Sequence, residues 1–215
     1  MLKVDGLSVY FGSQKVLDGV TLELPTGVMA GLIGRNGAGK TTFMRAVMGL
    51  IAKMEGHVGF GDTDLTSLPA HDRAGLGIGY MPEDRKLVPE FTAEENVLLP
   101  AWSTGMKDAS ARLDWVYGLM PEVANFRERR ANQLSGGQQK LVALARALLC
   151  GNHMLLLDEP FEGVAPALAQ RLAQIIATLK DEGIPVLIAD SNEQHVRGLI
   201  ERTFLIERGT VEVRD

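Results

Sequence analysis

At 215 residues with a formal net charge of -5, the chain has room for one domain and a substantial buried core. The acidic balance and the lack of a basic stripe argue against a nucleic-acid binder, and a single cysteine, Cys150, excludes an internal disulfide framework and suits a reducing compartment. No apolar run approaches the span of a bilayer and Met1-Leu2-Lys3-Val4-Asp5 carries no signal-peptide core, so membrane association is expected only through a partner.

Leu2 to Val9 and Leu17 to Leu24 alternate as strands, with Phe11-Gly12-Ser13 as the turn signal between them. Phe11 has two readings, a core aromatic or a ring that stacks on a purine. Val28 to Ile33 is an apolar strand that breaks into Gly34-Arg35-Asn36-Gly37-Ala38-Gly39-Lys40-Thr41-Thr42 and then a helix, Phe43 to Met48. Strand, Gly-x-x-x-x-Gly-Lys-Thr and helix in that order make a phosphate-binding P-loop. Its glycines let successive backbone N–H groups converge on an anion, and the helix N-terminus adds its own donors and dipole. Lys40 reaches the β- and γ-phosphates, and the Thr41 hydroxyl is placed to ligate Mg2+.

Gly49 stops that helix, and Gly56 to Phe60 followed by Gly61-Asp62-Thr63-Asp64 reads as a short strand and turn. Leu76 to Glu83 is an apolar strand ended by Pro82. In an open α/β sheet ligands bind at the carboxyl ends of the strands, which makes Glu83 a candidate Mg2+-facing group; a solvated loop carboxylate is the alternative. From Thr92, which opens a Thr-x-x-Glu capping box, to about Arg130 the pattern is helical, with Trp102, Trp115 and Tyr117 expected in a core.

Leu134-Ser135-Gly136-Gly137-Gln138-Gln139 precedes a helix from Gln139 to Leu149. Ser135 and Gln138 form a capping box by themselves, but two glycines in a first turn weaken a helix, and bare backbone there suits close approach of a phosphate. Met154 to Glu159 is a buried strand ending in two carboxylates, Asp158 to hold Mg2+ and Glu159 to orient or deprotonate an attacking water. A helix from Pro166 to Glu182 stops at Gly183. Ile184 to Ala189 is a further core strand leading to Asp190-Ser191-Asn192, and Thr203 to Glu207 with Thr210 to Val213 closes the chain as a hairpin through Arg208-Gly209. None of His57, His71, His153 or His195 has a metal-ligand spacing.

The ordered set of P-loop, Leu-Ser-Gly-Gly-Gln and Leu-Leu-Leu-Asp-Glu-Pro resembles the ATP-binding cassette (ABC) ATPases from Leu2 to Val213. Met81-Pro82-Glu83-Asp84-Arg85, Phe91-Thr92-Ala93-Glu94-Glu95-Asn96 and Glu162-Gly163-Val164-Ala165-Pro166 make it similar to the ATPase subunits of branched-chain amino acid importers. The resemblance implies an α/β P-loop NTPase fold with a mainly parallel core sheet, an N-terminal antiparallel β subdomain and an inserted helical subdomain. It is one domain over 1–215, with 1–83 and 151–215 forming the nucleotide-binding core and 84–150 the helical part with the signature helix.

By the same resemblance ATP and Mg2+ are the cofactors. Phe11 and Gly34 to Thr42 bind ATP, and Thr41, Glu83 and Asp158 face the metal. Glu159 is the catalytic base, and Ser135, Gly136, Gly137 and Gln138 cover the γ-phosphate held by a second ATPase subunit. Transmembrane permease subunits are the other implied partners, which puts the chain at the cytoplasmic face of the membrane. Glu83 stands where many cassettes have glutamine, and Ala165 where aspartate is usual. Ser191 stands where most have a histidine that contacts the γ-phosphate, a loss that can cost about 3 kcal/mol in the transition state. A regulatory subunit with little hydrolysis and a soluble cassette of DNA repair or translation are the alternatives.

Overall fold

The computed structural model describes residues 1–214. Two sheets form. One is antiparallel, in the order β2-β1-β4-β5, from β1 (Leu2–Phe11), β2 (Gln14–Leu24), β4 (Met54–Phe60) and β5 (Thr63–Asp64). The other is the core sheet, built from β3 (Met29–Ile33), β6 (Ile78–Met81), β7 (Met154–Asp158), β8 (Val186–Asp190), β9 (Arg202–Glu207) and β10 (Thr210–Arg214). Its order is β10-β9-β3-β8-β7-β6, parallel throughout except for the edge strand β10.

Each of β3, β7 and β8 is buried at every position, as expected of parallel strands covered on both faces. Alternate residues serve different cores. Ala30, Leu32, Leu156 and Leu187 pack with β1, β2 and the P-loop helix α1 (Lys40–Val47). Met29, Ile33, Leu155, Leu157 and Ile188 pack on the opposite face, against α6 (Gly136–Cys150) and α7 (Pro166–Asp181). That second core continues into α3 (Ala93–Thr104), α4 (Ala109–Leu119) and α5 (Pro121–Asn125) through Val97, Ala101, Val116 and Val123.

Both predicted capping boxes form. The Thr92 hydroxyl accepts from the Glu95 N–H while Glu95 accepts from the Thr92 N–H, and Ser135 and Gln138 do the same. The second box starts α6 at Gly136, three residues earlier than the apolar periodicity alone suggests. A helix the sequence did not signal, α2 (Ala70–Gly75), is too short for a periodic pattern. It exists to deliver Arg73, almost fully buried, whose guanidinium donates to the carbonyls of Leu65, Leu68, Ala46 and Val47 and so ties the last turn of α1 to the loop after β5.

The expectation of buried aromatics fails at Trp102, which is 55% exposed, with its ring edge against Phe91 at 6.5 Å. Tyr117 is half-buried, its hydroxyl donating to Glu94, and Trp115 lies under the Arg112 guanidinium. Cys150 is buried, and burial pushes its thiol up to about 11. The terminal hairpin forms as expected, but β9 also pairs with β3, and its turn reaches the P-loop: the Gly209 N–H donates to Ala38 O at 3.0 Å.

Candidate functional site

Four parallel strands, β3, β6, β7 and β8, end at one edge of the core sheet, and each delivers a segment singled out by the sequence. β3 runs into the P-loop and α1. Gly34 has an ordinary φ, but a Cβ there would lie 2.3 Å from the Ile206 carbonyl, so its glycine is required by the approach of β9. Gly39, at φ 116, supplies the left-handed turn from which α1 starts. Lys40 is buried, and its Nζ donates to Gly34 O at 2.6 Å and Arg35 O at 3.1 Å, so the loop is folded around its own lysine.

β7 brings Asp158 and Glu159 against that loop. The Thr41 hydroxyl donates to Asp158 Oδ1 at 3.2 Å, and the Tyr80 hydroxyl, from β6, approaches Oδ2 at 3.4 Å. Asp158 is fully buried; loss of hydration, helped by the charges of Glu83 and Glu159, pushes its carboxyl up to about 6. Burial likewise raises the Tyr80 phenol. A carboxylate short of positive charge beside a threonine hydroxyl is a hard-oxygen pair of the kind Mg2+ takes together with phosphate and water. Among the described residues no group of three or more His, Cys, Asp or Glu side chains could hold a metal by itself.

Glu159 is 3% exposed and has φ 48, a left-handed conformation that a non-glycine residue keeps only when its surroundings impose it. Four contacts do so. Its N–H donates to Ala189 O at 2.9 Å, and its O accepts from Lys140 Nζ at 2.6 Å. Its Oε2 accepts from the Ser191 N–H at 3.2 Å, and its Oε1 lies 3.1 Å from Lys40 Nζ as an ion pair without hydrogen-bond alignment. One oxygen of a buried carboxylate is thereby left without an aligned donor, beside the P-loop lysine.

Ser191 is exposed and faces the cleft formed with Gly34 to Ala38, and it meets Glu159 through its backbone, which any residue at 191 could provide. His195 turns back: its Nδ1 lies 3.1 Å from Asp190 Oδ1 and its ring packs edge-on against Phe161. Asp190 is fully buried, its carboxyl raised by burial, and its Oδ2 has no partner among the described residues. Glu83, exposed, lines one cleft with Thr41, Tyr80 and Asp158 and another with Lys40 and Glu159. It is thus both a loop carboxylate and a neighbour of the Thr41–Asp158 pair. Phe11 is 50% exposed, which rules out the core-aromatic reading.

Ser135, Gly136, Gly137 and Gln138 lie at the surface end of α6, away from the contacts that Lys40, Thr41, Asp158 and Glu159 make with one another. A Cβ at Gly136 would meet only the Arg85 guanidinium at 3.2 Å, and one at Gly137 only a Leu168 methyl at 2.8 Å. Both neighbours are ends of flexible side chains, so the chain itself does not demand two glycines. Arg85 donates to Gly136 O at 3.2 Å, and Arg146 holds the carbonyls of Arg85 and Lys86, both in left-handed conformations. Tyr80, Lys140 and Arg146 carried no sequence signal of their own, since their roles depend on contacts 19 or more residues away along the chain for Lys140, 60 for Arg146 and 78 for Tyr80.

The family model described as ABC transporter matches residues 17–162. The chain belongs to the ABC transporter family. Over its full length it is 33% identical to the high-affinity branched-chain amino acid transport ATP-binding protein BraG of Pseudomonas aeruginosa, covering 92% of that protein. It is also 33% identical, over 97% of its own length and 87% of the relative, to the lipopolysaccharide export system ATP-binding protein LptB of Escherichia coli. Among solved structures, a dimeric post-hydrolysis ATP-binding cassette bound to ADP and Pi superposes with TM-score 0.86 at 26% identity, covering 99% of this chain and 97% of that one. An ATP-binding cassette in its ADP conformation matches with TM-score 0.83 at 29% identity over 99% of this chain and 89% of that one. This ABC protein is an ATP-hydrolysing subunit of a transporter, and it has the P-loop NTPase fold expected. Among the described residues no helix is long and apolar enough to cross a membrane.

Proposed function

We propose that this ABC ATPase powers a membrane importer of branched-chain amino acids or related small polar solutes. The observation that carries the catalytic half of the reading is Glu159, buried, held in a left-handed conformation and aimed between Lys40 and the Ser191 N–H, next to the Thr41–Asp158 pair. In this reading Gly34 to Thr42 wrap the phosphates of ATP, the exposed Phe11 ring stacks on its base, and Glu159 accepts the proton of the attacking water. Thr41 and Asp158, with Glu83 facing the same cleft, hold Mg2+, which supplies charge neutralisation at the phosphates. Lys40 Nζ, which donates to the Gly34 and Arg35 carbonyls, would exchange those acceptors for phosphate oxygens when ATP binds.

Two further features favour a paired machine. The glycine-led N-terminus of α6 presents Ser135 to Gln138 at the surface, where a second ATPase subunit would bring its own γ-phosphate. The open cleft between the Glu83 loop and Arg45, Leu50, Lys86 and Arg146 is where permease helices would seat, keeping the chain at the cytoplasmic face of the membrane. The import direction is supported by the Met81 to Arg85 and Glu162 to Pro166 phrases, together with the branched-chain amino acid relative; the export ATPase is matched at equal identity.

The test is to purify the tagged chain from detergent-extracted membranes and reconstitute what accompanies it. Permease subunits should copurify, and proteoliposomes should take up labelled leucine, isoleucine or valine when MgATP is supplied on the ATPase side. Outward movement of lipopolysaccharide, or recovery of the chain with no permease, contradicts the proposal.

A further inference from the structure

Lys140 is the fifth residue of α6 and only 4% exposed, although burying an ammonium is unfavourable unless its donors are met. Loss of hydration lowers its pKa, and no aligned carboxylate takes the charge among the described residues. Nζ instead donates to two backbone carbonyls across the helix–loop boundary, Glu159 O at 2.6 Å and Glu162 O at 3.2 Å. The two span the segment that leaves β7, within which the Glu162 N–H donates back to Glu159 O at 3.3 Å. Glu159 thus sits at the start of a tight turn whose two ends are fastened to one buried lysine.

That fastening matters because Glu159, the proposed base, is itself held in a left-handed conformation. A left-handed glutamate relaxes toward ordinary backbone angles unless held, and the relaxation would swing its side chain off the Ser191 N–H and away from Lys40. The Ala189 contact fixes only the N–H side of Glu159; on the carbonyl side the only other donor is the Glu162 N–H within the same turn, at 3.3 Å, so Lys140 is what ties that side to another element. We propose that Lys140 is a positioning residue for the Glu159 carboxylate, anchoring its backbone from the same helix whose first turn carries Ser135 to Gln138. The inference rests on Glu159 acting in hydrolysis as proposed above. It gives α6 two tasks one helical turn apart, since four residues of helix rise about 6 Å from Gly136 to Lys140.

Lys140→Met, which keeps the aliphatic stem and removes the donors, is compared with Lys140→Arg, which keeps donors, each beside the parent and Glu159→Gln. Steady-state MgATP turnover, nucleotide binding by fluorescence and thermal melting are read on the same preparations. Lys140→Met should lower kcat about tenfold to a hundredfold, the scale of a small misplacement of a catalytic group, with KM and nucleotide affinity within about threefold of the parent. Lys140→Arg should recover a substantial part of the rate. A folded Lys140→Met protein with parental kcat overturns the proposal, as does a loss of rate that Lys140→Arg shares in full while both melt like the parent. If Lys140→Met does not fold, the Arg variant decides by its kcat at unchanged KM. A parent whose rate equals that of Glu159→Gln removes the reading beneath the proposal, and is recognised before any Lys140 variant is compared.

Discussion

Asp158→Asn should stabilise the nucleotide-free protein while abolishing its turnover. The carboxyl is fully buried, and loss of hydration with the nearby Glu83 and Glu159 charges raises it from 3.8 to about 6. The folded protein therefore binds this proton more tightly than the unfolded chain does. The contribution to stability is fully present below about pH 3.8 and is lost as pH rises through about 6. Raising the carboxyl from 3.8 to about 6 is worth ~3 kcal/mol, and the open cleft beside Thr41 and Tyr80 reduces that to about 2 kcal/mol. The amide keeps the size of the side chain and an acceptor for the Thr41 hydroxyl without carrying charge. Relative to the parent, the variant should gain about 2 kcal/mol between pH 4 and pH 8, about 4 to 8 °C in melting temperature for a chain of this size. Urea melts of both proteins in EDTA at a series of pH values measure the difference directly. A variant less stable than the parent at pH 8, or a difference flat with pH, refutes the idea that the site stores charge repulsion for a cation to relieve.

Other consequences are as specific. Arg73→Met leaves the carbonyls of Leu65, Leu68, Ala46 and Val47 without their donor and should cost about 3 kcal/mol in urea unfolding, and Arg73→Lys should restore only part, because an ammonium lacks the planar fork. Gly34→Ala drives a methyl to 2.3 Å from the Ile206 carbonyl and should lower the melting temperature even without nucleotide; an unchanged melting temperature would show that this glycine answers to phosphate alone. Phe11→Ala should weaken ATP binding about fivefold to tenfold with little change in melting temperature, since the ring is half exposed, and unchanged affinity in a fluorescence titration would remove the stacking role.

Much of this site could be read along the chain because its chemistry is local. A strand, a glycine loop and a helix are consecutive at 28–48, Asp158 and Glu159 end a run of leucines, and both capping boxes span four residues. What could not be read depends on contacts between distant segments. Gly34 looked like a phosphate glycine, yet its steric need comes from β9, 172 residues later at Ile206. Ser191 departs from the family by its side chain, whereas its backbone N–H is one of the contacts that hold the Glu159 carboxylate. Lys140 and Arg73 are ordinary cations in sequence and become buried anchors only once carbonyls from other elements converge on them. Trp102 failed for a related reason: aromatics are buried more often than not, but residue type alone does not show whether a second layer covers the place where the ring lies.

That one copy of the chain supplies the P-loop and Glu159 while a second copy supplies the glycine-led helix end can be read from ATP turnover against protein concentration. Steady-state hydrolysis by the purified protein is measured over a wide concentration range, with Glu159→Gln as the blank. The account predicts a rate per molecule that rises with concentration toward a plateau and is absent in the blank. A rate per molecule independent of concentration, or one that persists in Glu159→Gln, contradicts it.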